Sequence, residues 1–309
     1  MLKRFRLKAF VVGILLVILF AFSAPQALAG TEVVVGSKEF TEQLILGQIT
    51  LLILEKQGIP VVDETNLGGT LVLREAQEHG EIDLCWEYTG TALITHLGYD
   101  TAITDPEECY ELVKKEDLEK NNLVWLDYAP MNNTYTIMMR QKDAQELGIK
   151  KISDLALAIN EGEDAPDPGS WQFASNHEYS IRDDGYPGLT ELYDFHFDGV
   201  QIMDLGITYA ALRDGNVALA MGFATDGRIE AFGLVNLKDD KNYHPVYNAA
   251  PVIRAEILDV YPEIEKILAP ISASLDTATM SRLNALVDIE GYEPDEVAEM
   301  WLKEQGLID

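Results

Sequence analysis

Apolar residues along this chain fall into short blocks separated by glycines and charged turns. Val33-Val34-Val35 closes on Gly36, which predicts a short strand over 32–36. From Glu39 to Gln57, apolar positions recur at Phe40, Leu44, Leu46, Ile49, Leu52 and Ile53, a helical spacing that Gly58 ends. A second strand is predicted over Ile59–Glu64, a helix over Leu71–His79 after Gly68-Gly69-Thr70, and a third strand over Ile82–Trp86, ending at Tyr88-Thr89-Gly90-Thr91. Strand, helix, strand, helix, strand with short glycine-marked turns predicts a parallel sheet covered by helices. A second set follows, with strands over Leu123–Leu126, Tyr135–Met139, Trp171–Ala174 and Val217–Phe223. Its helices fall over Asp143–Leu147, Leu189–Phe195 and Ile207–Asp214. Glu161–Gly169, rich in proline and glycine, reads as a surface insertion. The last third reads as helices over Pro262–Leu268, Thr277–Val287 and Pro294–Gln305. The pattern predicts two α/β lobes, 30–134 plus 244–309 and 135–243, with a ligand cleft between them.

One block differs from the rest. Lys3, Arg4, Arg6 and Lys8 precede an unbroken apolar run from Ala9 to Phe22, followed by Ala27-Leu28-Ala29 before Gly30. Basic head, apolar middle and small-residue site are the order of a secretory signal peptide, here residues 1–29, cleaved after Ala29. The run is short of the roughly 20 residues of a spanning helix. The remaining chain is expected to be soluble in the periplasm or otherwise outside the cytoplasm.

Charge narrows the partners. The chain carries 23 Lys and Arg against 52 Asp and Glu, a net charge of −29 that becomes −33 without the basic leader. Such a surface repels nucleic-acid phosphates and anionic lipid, so neither is an expected partner. The two cysteines could bridge in an oxidising compartment, but Cys85 lies in an apolar strand, where a buried free thiol is the usual state. The five histidines are scattered without metal-ligand spacing. No nucleophile elbow, phosphate-binding loop or Cys-x-x-Cys occurs, so neither catalysis nor a cofactor is expected.

Three segments carry a family resemblance: Gly36-Ser37-Lys38-Glu39-Phe40-Thr41-Glu42-Gln43, Gly80-Glu81-Ile82-Asp83 through Glu87-Tyr88-Thr89-Gly90-Thr91-Ala92-Leu93, and Thr225-Asp226-Gly227-Arg228-Ile229. Asn133-Thr134-Tyr135 and Pro187-Gly188-Leu189 support them. Together they resemble the binding proteins of osmoprotectant ABC importers for glycine betaine, choline or carnitine, over nearly the whole chain from Val33. The resemblance implies a type II periplasmic-binding-protein fold, a monomer that delivers a small quaternary-ammonium solute to a membrane permease, and no enzymatic activity.

The chemistry of such a solute is restrictive. A trimethylammonium group is charged but has no N–H, so ring faces, each worth roughly 0.5–2 kcal/mol when desolvated, supply the attraction. The resemblance places an aromatic box at Tyr88, Tyr135, Phe223 and Tyr247, with Phe223 standing where the family usually has tyrosine. It places the carboxylate-binding groups at Lys38, Thr91 and Arg182. Asp226 and Arg228 are expected to form a structural pair or a helix cap rather than ligand contacts, and Trp86 and Tyr209 to belong to the core. Carnitine, choline or ectoine as the ligand, and a solute sensor in place of an importer, stay open.

Overall fold

A computed structural model describes residues 31–309. The predicted signal peptide lies outside the described residues. Two five-stranded sheets organise the rest. The first lobe begins β1 (Val33–Lys38), α1 (Thr41–Lys56), β2 (Val61–Gly68), α2 (Thr70–Glu78), β3 (Leu84–Tyr88), α3 (Pro106–Asn121) and β4 (Leu123–Trp125). The second lobe follows as β5 (Tyr135–Arg140), α4 (Gln141–Leu147), α5 (Ile152–Glu161), β6 (Gln172–Ser175), α6 (His177–Ile181), α7 (Tyr186–Tyr193), β7 (Gly199–Ile202), α8 (Leu205–Arg213), β8 (Leu219–Phe223) and β9 (Leu234–Asn236). The chain then returns to the first sheet as β10 (Ala249–Arg254) and finishes with α9 (Ile264–Ser274), α10 (Thr277–Asp288) and α11 (Pro294–Glu304).

The sheets share one plan. Their orders are β2-β1-β3-β10-β4 and β7-β6-β8-β5-β9. In each, the fourth strand runs against its neighbours: β10 is antiparallel to β3 and β4, and β5 to β8 and β9. The sheets are therefore mixed, which corrects the parallel sheet expected from the strand–helix alternation. The reversed strand in each is the one that enters straight after a crossing between lobes, so no helix precedes it to restore direction.

Helix α1 is apolar on more than one side because it is covered on more than one side. Ile45, Leu46, Ile49 and Leu54 are fully buried, between β1 and β2 on one flank and α10 and α11 on the other. That packing fixes the C-terminal helices to the first lobe. Trp86 and Tyr209 are buried as expected, and the Trp86 indole donates to Thr50 Oγ1 at 2.9 Å. Cys85 and Cys109 are buried free thiols. Among the described residues no helix is long and apolar enough to cross a membrane.

The crossings run side by side. Asn133 N donates to Tyr247 O at 3.1 Å, and Tyr247 N donates to Asn132 Oδ1 at 2.8 Å. Asn248 Nδ2 donates to Met131 O at 2.8 Å. These bonds tie both connections into one short belt beside the cavity.

Candidate functional site

Strand pairing alone brings distant aromatic residues together. Tyr135 stands directly opposite Phe223 across the β5–β8 ladder, with ring centroids 5.3 Å apart. Tyr88 ends β3 opposite Ala249 of β10, so Tyr247 enters beside it. Gly90 permits that approach: a Cβ there would stand 2.6 Å from Val246 O and 2.9 Å from the Tyr247 ring. Tyr135 meets Tyr247 edge-on at 5.4 Å. Phe40, ahead of α1, lies 6.3 Å from Tyr88 and 5.1 Å from Phe223. The result is an unbroken series of rings, Tyr88, Phe40, Phe223, Tyr135 and Tyr247. All five line one cavity of about 760 Å³ with walls from both lobes.

Phe40 was not singled out from the sequence, because its apolar spacing matched an ordinary helix face. Tyr179, 4.8 Å from Tyr135, was also missed. It carries no motif, and its position follows only from the fold of α6.

Lys38 and Thr91 line the same cavity. The Lys38 ammonium stands 5.3 Å above the Tyr88 ring and donates to Glu87 Oε1 at 2.7 Å. Glu87 also accepts from Tyr88 N at 2.7 Å and faces His96 Nε2 at 3.3 Å. Burial would raise the Glu87 carboxyl, but Lys38 and His96 outweigh it and hold it at about 2.

Arg182 is placed differently from expectation. It is buried and absent from the residues lining the cavity. Its Nε and Nη2 donate to the two Asp184 oxygens at 2.7 Å each, and Nη1 donates to Glu178 Oε1 at 2.8 Å. Its guanidinium lies 5.5 Å from the Tyr135 ring centroid, and the Tyr247 hydroxyl donates to the same Asp184. Arg182 therefore backs two of the rings, and acidic neighbours four residues before and two after it take up its donors.

Glu42 was passed over in the sequence as one of many acids, yet it is the polar hub beneath the rings. It is 2 % exposed and accepts from Tyr88 Oη at 2.7 Å, Asn133 Nδ2 at 2.8 Å, Thr225 Oγ1 at 2.5 Å and Asn284 Nδ2 at 3.2 Å. Those donors come from β3, the first inter-lobe crossing, the turn after β8 and α10. Burial raises its carboxyl, and the four hydrogen bonds oppose that rise. Asp226 and Arg228 form the expected pair, with contacts of 2.9 and 2.6 Å, and Arg228 reaches Asp288 at 3.1 Å. Arg228 also lies 4.6 Å from the Tyr209 ring and lines the cavity.

This geometry can be set beside known proteins. Residues 31–304 match the substrate-binding domain of ABC-type glycine betaine transport systems. The chain belongs to that family. Among members of this glycine betaine transport family, a glycine-betaine-binding protein of Pseudomonas aeruginosa is 44 % identical over 278 residues, 89 % of this chain and 88 % of its own. The glycine betaine-binding protein YehZ of Escherichia coli is 38 % identical over 94 % of this chain and 96 % of its own. A crystal structure described as a glycine betaine/carnitine/choline ABC transporter superposes with a TM-score of 0.75 at 29 % identity, over 90 % of this chain and all of that one. The fold is the type II periplasmic-binding-protein fold, with two α/β lobes about a cleft, and the family consists of substrate-binding proteins, not enzymes.

Proposed function

We propose that this chain is the extracytoplasmic solute-binding protein of an ABC importer and that its ligand is glycine betaine or a related quaternary-ammonium osmolyte. One observation carries the choice of ligand: five aromatic rings from separated segments line a single inter-lobe cavity. Several π-faces suit a cation that cannot donate a hydrogen bond. Three or four of them give several kcal/mol, a large share of the roughly 8 kcal/mol of micromolar affinity. Tyr88, Phe40, Phe223, Tyr135 and Tyr247 take the methylated nitrogen. Lys38 and Thr91, which line the same cavity, take the carboxylate, and Arg182 serves that end only after exchanging one of its acidic partners.

The lobes, 30–134 plus 244–309 and 135–243, close on the ligand by bending the belt between them, which dries the rings and strengthens the attraction. The closed protein then delivers its solute, as a monomer, to a membrane permease. Export by the leader 1–29 puts it outside the cytoplasm. Calorimetric titration with glycine betaine, carnitine, choline and proline tests the proposal. Saturable heat with at least one of the first three supports it, and none at millimolar ligand rejects it.

A further inference from the structure

We propose that Glu178 is a specificity-determining residue, a built-in competitor that contends with a ligand's carboxylate for the cationic end of the cavity. The inference rests on the quaternary-ammonium reading and adds a rule for choosing among such ligands.

The cations at that end are already paired. Lys38 holds Glu87 at 2.7 Å, and Arg182 holds Asp184 at 2.7 Å and Glu178 at 2.8 Å. The three acids are not equivalent. The Glu87 and Asp184 side chains are 5 % and 3 % exposed, whereas that of Glu178 is 33 % exposed. Of the three, only Glu178 is among the residues lining the cavity. It belongs to α6 in the second lobe, yet a Cβ on Gly69 of the first lobe would stand only 3.4 Å from its Oε2. It thus reaches across the cleft. Burial would raise its carboxyl, but Lys38, Thr70 and Arg182 hold it below the ordinary range, so it is a negative charge at neutral pH.

The consequence is selective. A cation without a carboxylate gains from Glu178 and displaces nothing. A zwitterion with the same trimethylammonium head must bring its carboxylate to Lys38 on the cavity lining, where the Glu178 charge repels it, and reaches Arg182 only once Glu178 gives that cation up. The more deeply buried acids Glu87 and Asp184 keep both cations paired, so the exchange happens at Glu178, the one partner that lines the cavity. Glu178 therefore lowers affinity for betaines relative to choline-like cations of equal size.

The test titrates wild type, Glu178→Gln and Glu178→Asp with glycine betaine and with choline. Glu146→Gln, an exposed residue of α4 whose side chain is 64 % exposed, controls for total charge. Thermal unfolding without ligand confirms that each variant is folded. Glutamine keeps an acceptor for Arg182 and removes the charge, so the affinity ratio of glycine betaine to choline should rise about tenfold. Aspartate retracts the charge by one methylene and should give a smaller rise, which reports on the proposal even if the glutamine variant fails to fold. Glu146→Gln should leave the ratio unchanged. An unchanged ratio in both Glu178 variants overturns the proposal, as does a greater loss for glycine betaine than for choline. If wild type gives heat with neither of these ligands nor with carnitine, the quaternary-ammonium reading itself has failed, a result distinct from an unmoved ratio.

Discussion

Tyr135→Leu isolates the charge-dependent part of the ring attraction. Tyr135 is central: its ring has Tyr179 at 4.8 Å, Phe223 at 5.3 Å and Tyr247 at 5.4 Å. Leucine keeps much of the apolar bulk but removes the π-face. For a desolvated ammonium one ring is worth about 0.5–2 kcal/mol, so choline affinity should fall by roughly 2- to 30-fold. The three ring–ring contacts are lost as well, at about 0.5–1.5 kcal/mol each, partly replaced by leucine packing. The unliganded variant should therefore be less stable by about 2 kcal/mol, seen in denaturant titration. Binding and stability are separated by calorimetry with choline and with 3,3-dimethyl-1-butanol, its uncharged carbon isostere. Tyr135→Phe should bind choline within about threefold of wild type, since both rings present similar faces. Tyr135→Leu should weaken choline and leave the isostere nearly unchanged. Equal weakening of both by leucine would show that cavity shape, not the ring's attraction for positive charge, sets affinity, and the argument for the box would fail.

Three further outcomes follow from the same contacts. Glu87 sits at about 2 against an ordinary carboxylate value of 4.5, so its pairing stabilises the fold fully above that value and is lost as pH falls toward 2. The contribution is on the order of 3 kcal/mol, and urea titrations at pH 7, 5 and 3 should show Lys38→Met losing less stability on acidification than wild type does. Glu42 has the opposite sign, since its raised carboxyl favours the protonated form in the fold. Glu42→Gln would turn an amide N–H₂ toward some of four donors and should cost about 1–3 kcal/mol of stability together with ligand affinity, read by thermal unfolding and calorimetry. Phe223→Tyr should change affinity less than about threefold, because ring face and not hydroxyl is the useful feature there. A larger gain would assign a role to the hydroxyl that this chain lacks.

What the sequence made legible follows from local physics. β1 and β3 carry dense apolar blocks and β2 opens with the Val61-Val62 pair after Ile59, all set off by glycine turns, and each was visible. β10 was not, because Ala249-Ala250-Pro251 is small and contains a proline, the residue least suited to a strand paired on both sides. Losing β10 hid the reversal of direction in the first sheet; in the second, β5 was visible but its reversed direction was not, because it depends on the chain crossing between lobes. Helix α3 was missed because its charged face dominates, although Asp105 caps it by accepting from Glu108 N at 2.9 Å and Pro106 opens it.

The site divides in the same way. Tyr88, Tyr135, Phe223 and Tyr247 sit at strand ends or beside a crossing, where motif and topology coincide, and all four line the cavity. Phe40 looked like any apolar helix position. The partners of Arg182 could not be read, since Glu178 and Asp184 are two acids in a chain of 52 and only α6 and the turn after it aim them at one guanidinium. Glu42 was hidden for the same reason: a carboxylate's importance lies in four donors brought from 46 to 242 residues away.

The most direct measurement is a crystal structure of the protein grown with glycine betaine. The account predicts the methylated nitrogen within about 6 Å of the ring centroids of Tyr88, Tyr135 and Phe223, with the carboxylate turned toward Lys38 and Thr91. A ligand held through its methyl groups elsewhere, or with carboxylate and ammonium ends reversed, would contradict it.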